Sequence, residues 1–423
     1  MKTYHPRIAD QLLQRKLEGK GAVLIEGPKW CGKTTTAEQI AASILYMDDP
    51  GTKHQNLSMA DVMPKRLLQG EAPRLIDEWQ IAPQLWDAIR FEVDHRNEPG
   101  QFILTGSAVP PDTSEIFHSG TGRFARLTMR TMSLFESGES TGEVSLEKLF
   151  QGNNVVEGTS ALDLESLAFL ICRGGWPQAI DMRETIALDQ APDYLDAVIH
   201  SDINRVDSVH KDPGRVERFM RSYARNQGGQ VPNTVIAQDI EGNVSALNAD
   251  TVASYIRALK QIFVIEDMPS WNPNLRSKTA IRSSDNRYFI DPSIAAAALG
   301  IGPNDLLNDL STMGLMFETL CVRDLRVYAD AIGGTVYHYR DKNDLECDAV
   351  IHLRNGSYGL IEIKLGGEKL ITEGVRSLTA LAEKIDTSKM KPPSFLMVLT
   401  GTGTYAYRRN DGVLVIPIGT LRN

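Results

Sequence analysis

This chain has few cysteines, no long apolar run and no excess of positive charge. Four cysteines (Cys31, Cys172, Cys321 and Cys347) are scattered through 423 residues without a CxxC pair. That argues against a disulfide framework and a thiolate zinc site, and it fits a reducing compartment. No run approaches the roughly 18 apolar residues of a membrane helix. The first residues, MKTYHPRIADQLLQRK, contain no signal-peptide core. A cytoplasmic protein with no membrane partner is the expectation. The net charge is −9, so nucleic acid binding has no global basic signature, although a local patch could still exist. At this length, roughly two to four domains are expected.

What is present is concentrated first in residues 23–40, VLIEGPKWCGKTTTAEQI. Val23, Leu24 and Ile25 read as a buried strand, GPKWCGKT as a loop, and the remainder as a helix. This is a GxxxxGKT phosphate loop in the strand–loop–helix setting it requires. Gly27 and Gly32 permit backbone conformations that turn successive N–H groups toward an anion. The following helix directs its positive end to the same place. Gly27, Pro28, Lys29, Trp30, Cys31, Gly32, Lys33, Thr34 and Thr35 therefore form the expected nucleotide-binding set. Lys33 would reach the β and γ phosphates and Thr34 a Mg²⁺ ion. Cys31 reads as a small loop filler or an oxidisable thiol.

Helical spacing of Ile8, Leu12, Leu13 and Leu17 predicts a helix over 7–18. A strand follows over 44–50 and a short helix over 60–70. RLIDEWQ, residues 74–80, reads as a strand end with Asp77 and Glu78 at its tip. In a chain with a phosphate loop, such a pair suits Mg²⁺ binding through Asp77 and activation of water by Glu78 as general base. A helix is expected over 85–94, then a strand, QFILTGSA, over 101–108. Residues 119–140 carry Arg123, Arg126 and Arg130.

In this order, GPKWCGKT, RLIDEWQ, ILTGS and GRFARL resemble a family of bacterial and archaeal AAA-type ATP-binding proteins. In that family an N-terminal ATPase domain is fused to a C-terminal domain of unknown function. The motifs cover about the first 140 residues, and later stretches extend the match. The resemblance implies an αβα P-loop sandwich. It also implies Thr105 or Ser107 as a polar sensor between the acids and the γ-phosphate. Arg123, beside Gly122, is implied as an arginine acting in its own subunit or in a neighbouring one.

Residues 137–163, rich in Gly, Ser, Asn and Glu, predict a linker. Helices are expected over 164–172 and 186–208, with Gly174 to Pro177 as a structural turn between them. A helix over 213–226 places Arg215, Arg218, Arg221 and Arg225 on one face, a stripe that could contact phosphates or be solvated. Residues 231–290 suggest a winged helix: VPNTVIAQDI, a second helix capped near Asn248, and a wing carrying Arg276, Lys278, Arg282 and Arg287. Such modules bind either nucleic acid or protein.

The last 120 residues hold a second constellation. CDAVIHL and YGLIEIK read as a hairpin around Arg354-Asn355-Gly356. Glu362 and Lys364 lie two apart on one face, and Asp348 can pair beside them. Two carboxylates and a lysine suit metal-assisted phosphodiester cleavage. The arrangement resembles the PD-(D/E)xK nuclease core, with Glu362-Ile363-Lys364 as the ExK element and Glu318 matching a helical Glu. A helix over 375–385 and a strand, PSFLMVLT, complete the set.

The expected architecture is α/β throughout. It comprises an AAA-type P-loop domain (1–140), a linker and helical region (141–230), a winged-helix-like module (231–303) and a restriction-endonuclease-like α/β domain (304–423). The expected function is Mg²⁺-dependent ATP binding and hydrolysis. The candidate catalytic residues are Lys33, Glu78 and Arg123, joined by Asp348, Glu362 and Lys364 if the second site cuts. Thr34 and Asp77 are the candidate metal ligands, with Asp348, Glu362 and Glu318 at the second site. Alternatives are a nucleotide-gated nuclease on DNA or RNA and a slowly hydrolysing switch or scaffold. A homo-oligomer remains one option for the assembly state.

Overall fold

The structure is a computed structural model that describes residues 3–106, 120–153, 156–206, 211–240, 249–273 and 284–423. It divides into two units. The first comprises Met1–Thr131, His200–Lys211 and Arg257–Val264; the second comprises Met132–Ile199, Asp212–Ile256 and Ile265–Asn423.

In the first unit, five short strands form one sheet: β1 (Ala22–Glu26), β2 (Ser43–Tyr46), β3 (Arg74–Asp77), β4 (Phe102–Gly106) and β5 (Phe124–Thr128). Their order is β2-β3-β4-β1-β5, with every neighbouring pair parallel. Parallel strands are covered on both faces, so each reads as a nearly continuous apolar run. Val23, Ile25, Leu75, Ile103 and Leu127 pack with Leu13 and Leu17 of α1 (Ile8–Gly19) and Ala37 of α2 (Lys33–Glu38). Leu24, Ile76 and Leu104 turn to the other face. There they meet Ala60 of α3 (Lys53–Val62), Leu67 of α4 (Pro64–Leu67), and Leu85, Trp86 and Ile89 of α5 (Leu85–Arg96). The result is the expected αβα sandwich. The helix expected over 60–70 is instead two helices. Pro64 starts the second, and Met63 before it leaves the helical region at φ −145° and ψ 61°, as a residue preceding proline tends to do.

The second unit contains β6 (Val144–Ser145), β7 (Gly334–Arg340), β8 (Glu346–Leu353), β9 (Tyr358–Lys364), β10 (Leu396–Thr400), β11 (Tyr407–Arg408), β12 (Leu414–Pro417) and β13 (Leu421–Arg422). Six of these form a sheet ordered β11-β12-β10-β9-β8-β7. β7, β8 and β9 are an antiparallel meander, and β10 runs parallel to β9. The helix Leu310–Ala331 precedes the meander, and the helix Glu368–Lys384 connects β9 to β10. Val350, Leu360 and Val398 pack against Ile371, Val375, Leu378 and Leu381 of that connecting helix.

Three sequence expectations change here. The linker over 137–163 is partly built into the unit, because β6 pairs in parallel with β13 and Thr159 bridges Tyr405. Polar composition hid this, since pairing uses backbone groups. The helix expected over 186–208 spans Glu184–His200 and is followed by a separate 3₁₀ turn, Asp202–Arg205. In the winged-helix region both helices exist, Asn233–Ile240 and Ala249–Gln261. Among the described residues, the expected wing contributes the isolated bridges Ile265↔Phe289, Met268↔Asn286 and Ser270↔His338. Asn248, Arg276, Lys278 and Arg282 lie outside the described residues.

Candidate nucleotide and C-terminal sites

β1 ends at Glu26 and the phosphate loop begins at once. Gly27 (φ 156°) and Gly32 (φ 97°) both adopt positive φ. A Cβ on Gly27 would come 2.0 Å from the Met129 carbonyl oxygen, so the turn has no room for a side chain. Lys33 is buried, and its ammonium donates to the carbonyls of Gly27 (3.0 Å) and Pro28 (2.7 Å). Trp30 holds φ 66° and is 47% exposed. Cys31 is buried, and its thiol lies 3.5 Å from the Met129 carbonyl. Arg7, which sequence reasoning missed, donates to the carbonyls of Cys31 and Arg130, both at 2.8 Å. It ties the loop to the end of β5.

Register places the acids. Ile25 pairs with Thr105 and Thr105 with Asp77, so β4 lies between the loop strand and the acidic strand. Asp77 Oδ1 accepts from Thr34 (2.8 Å) and Thr105 (2.5 Å). Burial pushes the Asp77 carboxyl above its ordinary value, against the lowering effect of the two hydroxyls. A buried carboxylate whose hydrogen-bond partners are neutral hydroxyls suits a cation. Glu78 adopts left-handed backbone (φ 53°) and accepts from the Gln80 side-chain amide. Burial first, then the Asp77 charge, raises its carboxyl, while Lys33 opposes the shift. Thr105 lies at the end of β4, beside Asp77. Ser107 lies outside the described residues.

Arg123 does not join this group. It precedes β5 at the N-terminal edge of the sheet, where its carbonyl accepts from Ala22 N–H (3.2 Å). The loop begins beyond the opposite end of β1, roughly 16 Å away at about 3.3 Å per residue. Arg123 instead forms an ion pair with Asp94 at 2.7 Å. A role in its own subunit is thereby corrected: parallel pairing puts the start and end of a strand on opposite edges. Arg126 pairs with Glu26 at 2.7 Å, and Arg130 is buried.

In the second unit, the hairpin register Ala349↔Ile361 brings Asp348 beside Glu362. Lys364 bridges them, 3.1 Å from Asp348 and 2.7 Å from Glu362. Asp348 also accepts from the Ile363 N–H at 2.7 Å. Glu362 Oε1 is buried without a hydrogen-bond partner. Burial, reinforced by the Asp348 charge, pushes both Glu362 and Glu318 up to about 8. Burial alone would lower the Lys364 ammonium, but the two carboxylates outweigh it and the net shift is upward. Glu318 accepts from the Tyr288 hydroxyl, a partner absent from the sequence reading. Among the described residues, no three His, Cys, Asp or Glu side chains form a ready cation site. Of the expected ligand set, Asp348 and Glu362 meet at Lys364, while Glu318 is hydrogen-bonded to Tyr288.

The basic stripe lies on the helix Pro213–Arg225. Arg218, Arg221 and Arg225 are exposed opposite the buried Val216, Phe219, Met220 and Tyr223, and Arg225 pairs with Asp239 at 3.3 Å. Arg287, expected on a wing, donates to Val231 O and Asn233 Oδ1, both at 2.7 Å, and is occupied within the fold. The Gly174 to Pro177 turn is tied down through Gly175 N–H to Asp291 and the Trp176 indole to Ser293, both at 3.0 Å. Among the described residues, no helix is long and apolar enough to cross a membrane.

Three stretches of the chain match known families. Residues 19–137 match the family described as an AAA domain. Residues 164–305 and 313–421 match two domains of unknown function, DUF8612 and DUF4143. Uncharacterized proteins of Mycobacterium tuberculosis and Mycobacterium bovis are each 25% identical over 374 residues, covering 88% of this chain and 76% of theirs. A Walker-type ATPase of Pyrococcus abyssi aligns with 68% of this chain and 94% of its own, at 14% identity and a TM-score of 0.42. The Hef helicase domain of Pyrococcus furiosus aligns with 94% and 86%, at 12% identity and a TM-score of 0.20. The match to an AAA domain covers the stretch that carries the phosphate loop and Asp77-Glu78.

Proposed function

We propose that this chain is a Mg²⁺-dependent ATPase whose reaction centre lies at the end of β1. The observation that carries the reading is the meeting of Lys33, Thr34, Asp77, Glu78 and Thr105 at one edge of one sheet. Lys33 would leave the loop carbonyls for the β and γ phosphates. Thr34 and Asp77 would hold Mg²⁺, which when bound would neutralise phosphate charge. Glu78 would take the proton of a water as its oxygen attacks the γ phosphorus. The bond from that phosphorus to the bridging oxygen breaks, giving ADP and phosphate. The environment that raises the Glu78 carboxyl moves it toward the working range of a base near neutral pH. Thr105 would orient the water or the terminal phosphate. The test is ATP turnover with Mg²⁺, with and without mixed DNA and RNA, on wild type and Glu78→Gln. Turnover that collapses in the variant supports hydrolysis; tight ATP binding without turnover leaves a nucleotide-held switch.

A second reading, a nucleotide-gated nuclease, is favoured by the approach of Asp348, Glu362 and Lys364 within one hairpin. DNA or RNA cleavage with Mg²⁺ or Mn²⁺, lost in Lys364→Ala, would support it. An inert protein under both ions removes it.

A further inference from the structure

Lys29, the third residue of the phosphate loop, reaches sideways. Its ammonium lies 2.5 Å from the carboxylate of Asp202. Asp202 opens the 3₁₀ turn Asp202–Arg205, in the segment His200–Lys211 that belongs to the same unit as the loop.

The two partners are not equally mobile. Asp202 is 7% exposed, and Ile203 and Val206 beside it are buried. Asn204 closes the segment by accepting from Lys211 N–H (2.6 Å) and donating to its carbonyl (3.2 Å). The Lys29 side chain is 40% exposed and has a flexible four-carbon stem. Asp202 is the fixed anchor and Lys29 the part that swings.

A bound triphosphate would bring several negative charges to the eight-residue loop that carries both Lys29 and Lys33. In the present state each ammonium is held elsewhere: Lys33 by the loop carbonyls, Lys29 by Asp202. We propose that Lys29 exchanges between Asp202 and the terminal phosphate of ATP. Asp202 then acts as a positioning residue that holds Lys29 until a γ-phosphate competes for it. Lys29 would supply from within the chain the positive charge that Arg123, at the far edge of the sheet, does not. Release of Asp202 would in turn report the triphosphate to the segment His200–Lys211. The inference rests on the ATPase reading.

The experiment is a calorimetric titration of the full chain with ATP and with ADP, each with Mg²⁺, in a Glu78→Gln background that blocks turnover. Lys29→Gln should weaken ATP at least about fivefold, the lower end of ordinary coupling, with little change for ADP. Asp202→Asn should tighten ATP by a similar factor, and that gain should vanish when Lys29→Gln is also present. Equal changes for ATP and ADP overturn the proposal. So does an Asp202→Asn effect that persists without Lys29. If Asp202→Asn does not fold, Lys29→Gln, at an exposed side chain, still decides the phosphate contact. A parent that binds neither nucleotide defeats the ATPase reading and this inference together. A parent that binds both, with variants indistinguishable from it, defeats this inference alone.

Discussion

At the scale of single residues, neighbouring charges set the chemistry. Glu78 is half-buried next to Asp77, held by Gln80 and faced by the Lys33 charge. Glu78→Gln is expected to lower ATP turnover on the order of 10²-fold or more while ATP affinity is retained, as rapid-quench and equilibrium-binding measurements would reveal. Lys364 is the shared counter-charge of two carboxylates, one of them nearly fully buried. Lys364→Met should therefore destabilise the chain by about 3 kcal/mol above about pH 8, where Glu362 is ionised, because stranded buried carboxylates cost more than the pair gains. Adding Glu362→Gln should recover part of that loss in denaturant unfolding. A single variant as stable as wild type would mean that the lysine does not hold the cluster.

At the scale of elements, strand order does what spacing cannot. β4 lies between β1 and β3, so Thr105 reaches Asp77 although 28 residues separate them. The same parallel order removes Arg123 from the site. Close approach of chain segments matters as much in the second unit. A Cβ on Gly175 would meet the Met132 carbonyl oxygen at 2.1 Å and its nitrogen at 2.8 Å. Backbone atoms cannot turn aside as a side chain would, so Gly175→Ala should cost at least about 2 kcal/mol. Gly214, in the first turn of the helix Pro213–Arg225, offers a control. Its nearest neighbour would be the Asp212 carboxylate at 3.5 Å. Gly214→Ala should be neutral or stabilise by about 0.5 kcal/mol through helix propensity. Paired thermal melts would separate the two outcomes.

At the scale of the whole molecule, acid stability has an identifiable contributor. His338 is 2% exposed, its ring facing the Ser284 carbonyl and the Gln230 amide. Burial pulls it down to about 4, against the Ser284 carbonyl, which raises it. The folded chain therefore binds fewer protons at His338 than the unfolded chain between about pH 6.5 and 4. Its contribution is present above pH 6.5 and is lost as pH falls through about 4, by roughly 3 kcal/mol at most. His338→Gln should flatten that limb of the stability profile. An unchanged acid slope would assign the loss to other groups. Much was legible beforehand because it is local: the phosphate loop, Asp77-Glu78 and the ExK strand are each encoded within a few consecutive residues, where backbone periodicity and glycine chemistry act directly. What composition could not show depends on distant segments meeting: β6 on β13, Arg287 turned inward to Val231 and Asn233, Asp202 on Lys29, Tyr288 on Glu318. Pattern in a short window specifies which element forms and which face is apolar. The partner of a buried charge is specified only when packing removes water and leaves that charge one neighbour to answer it.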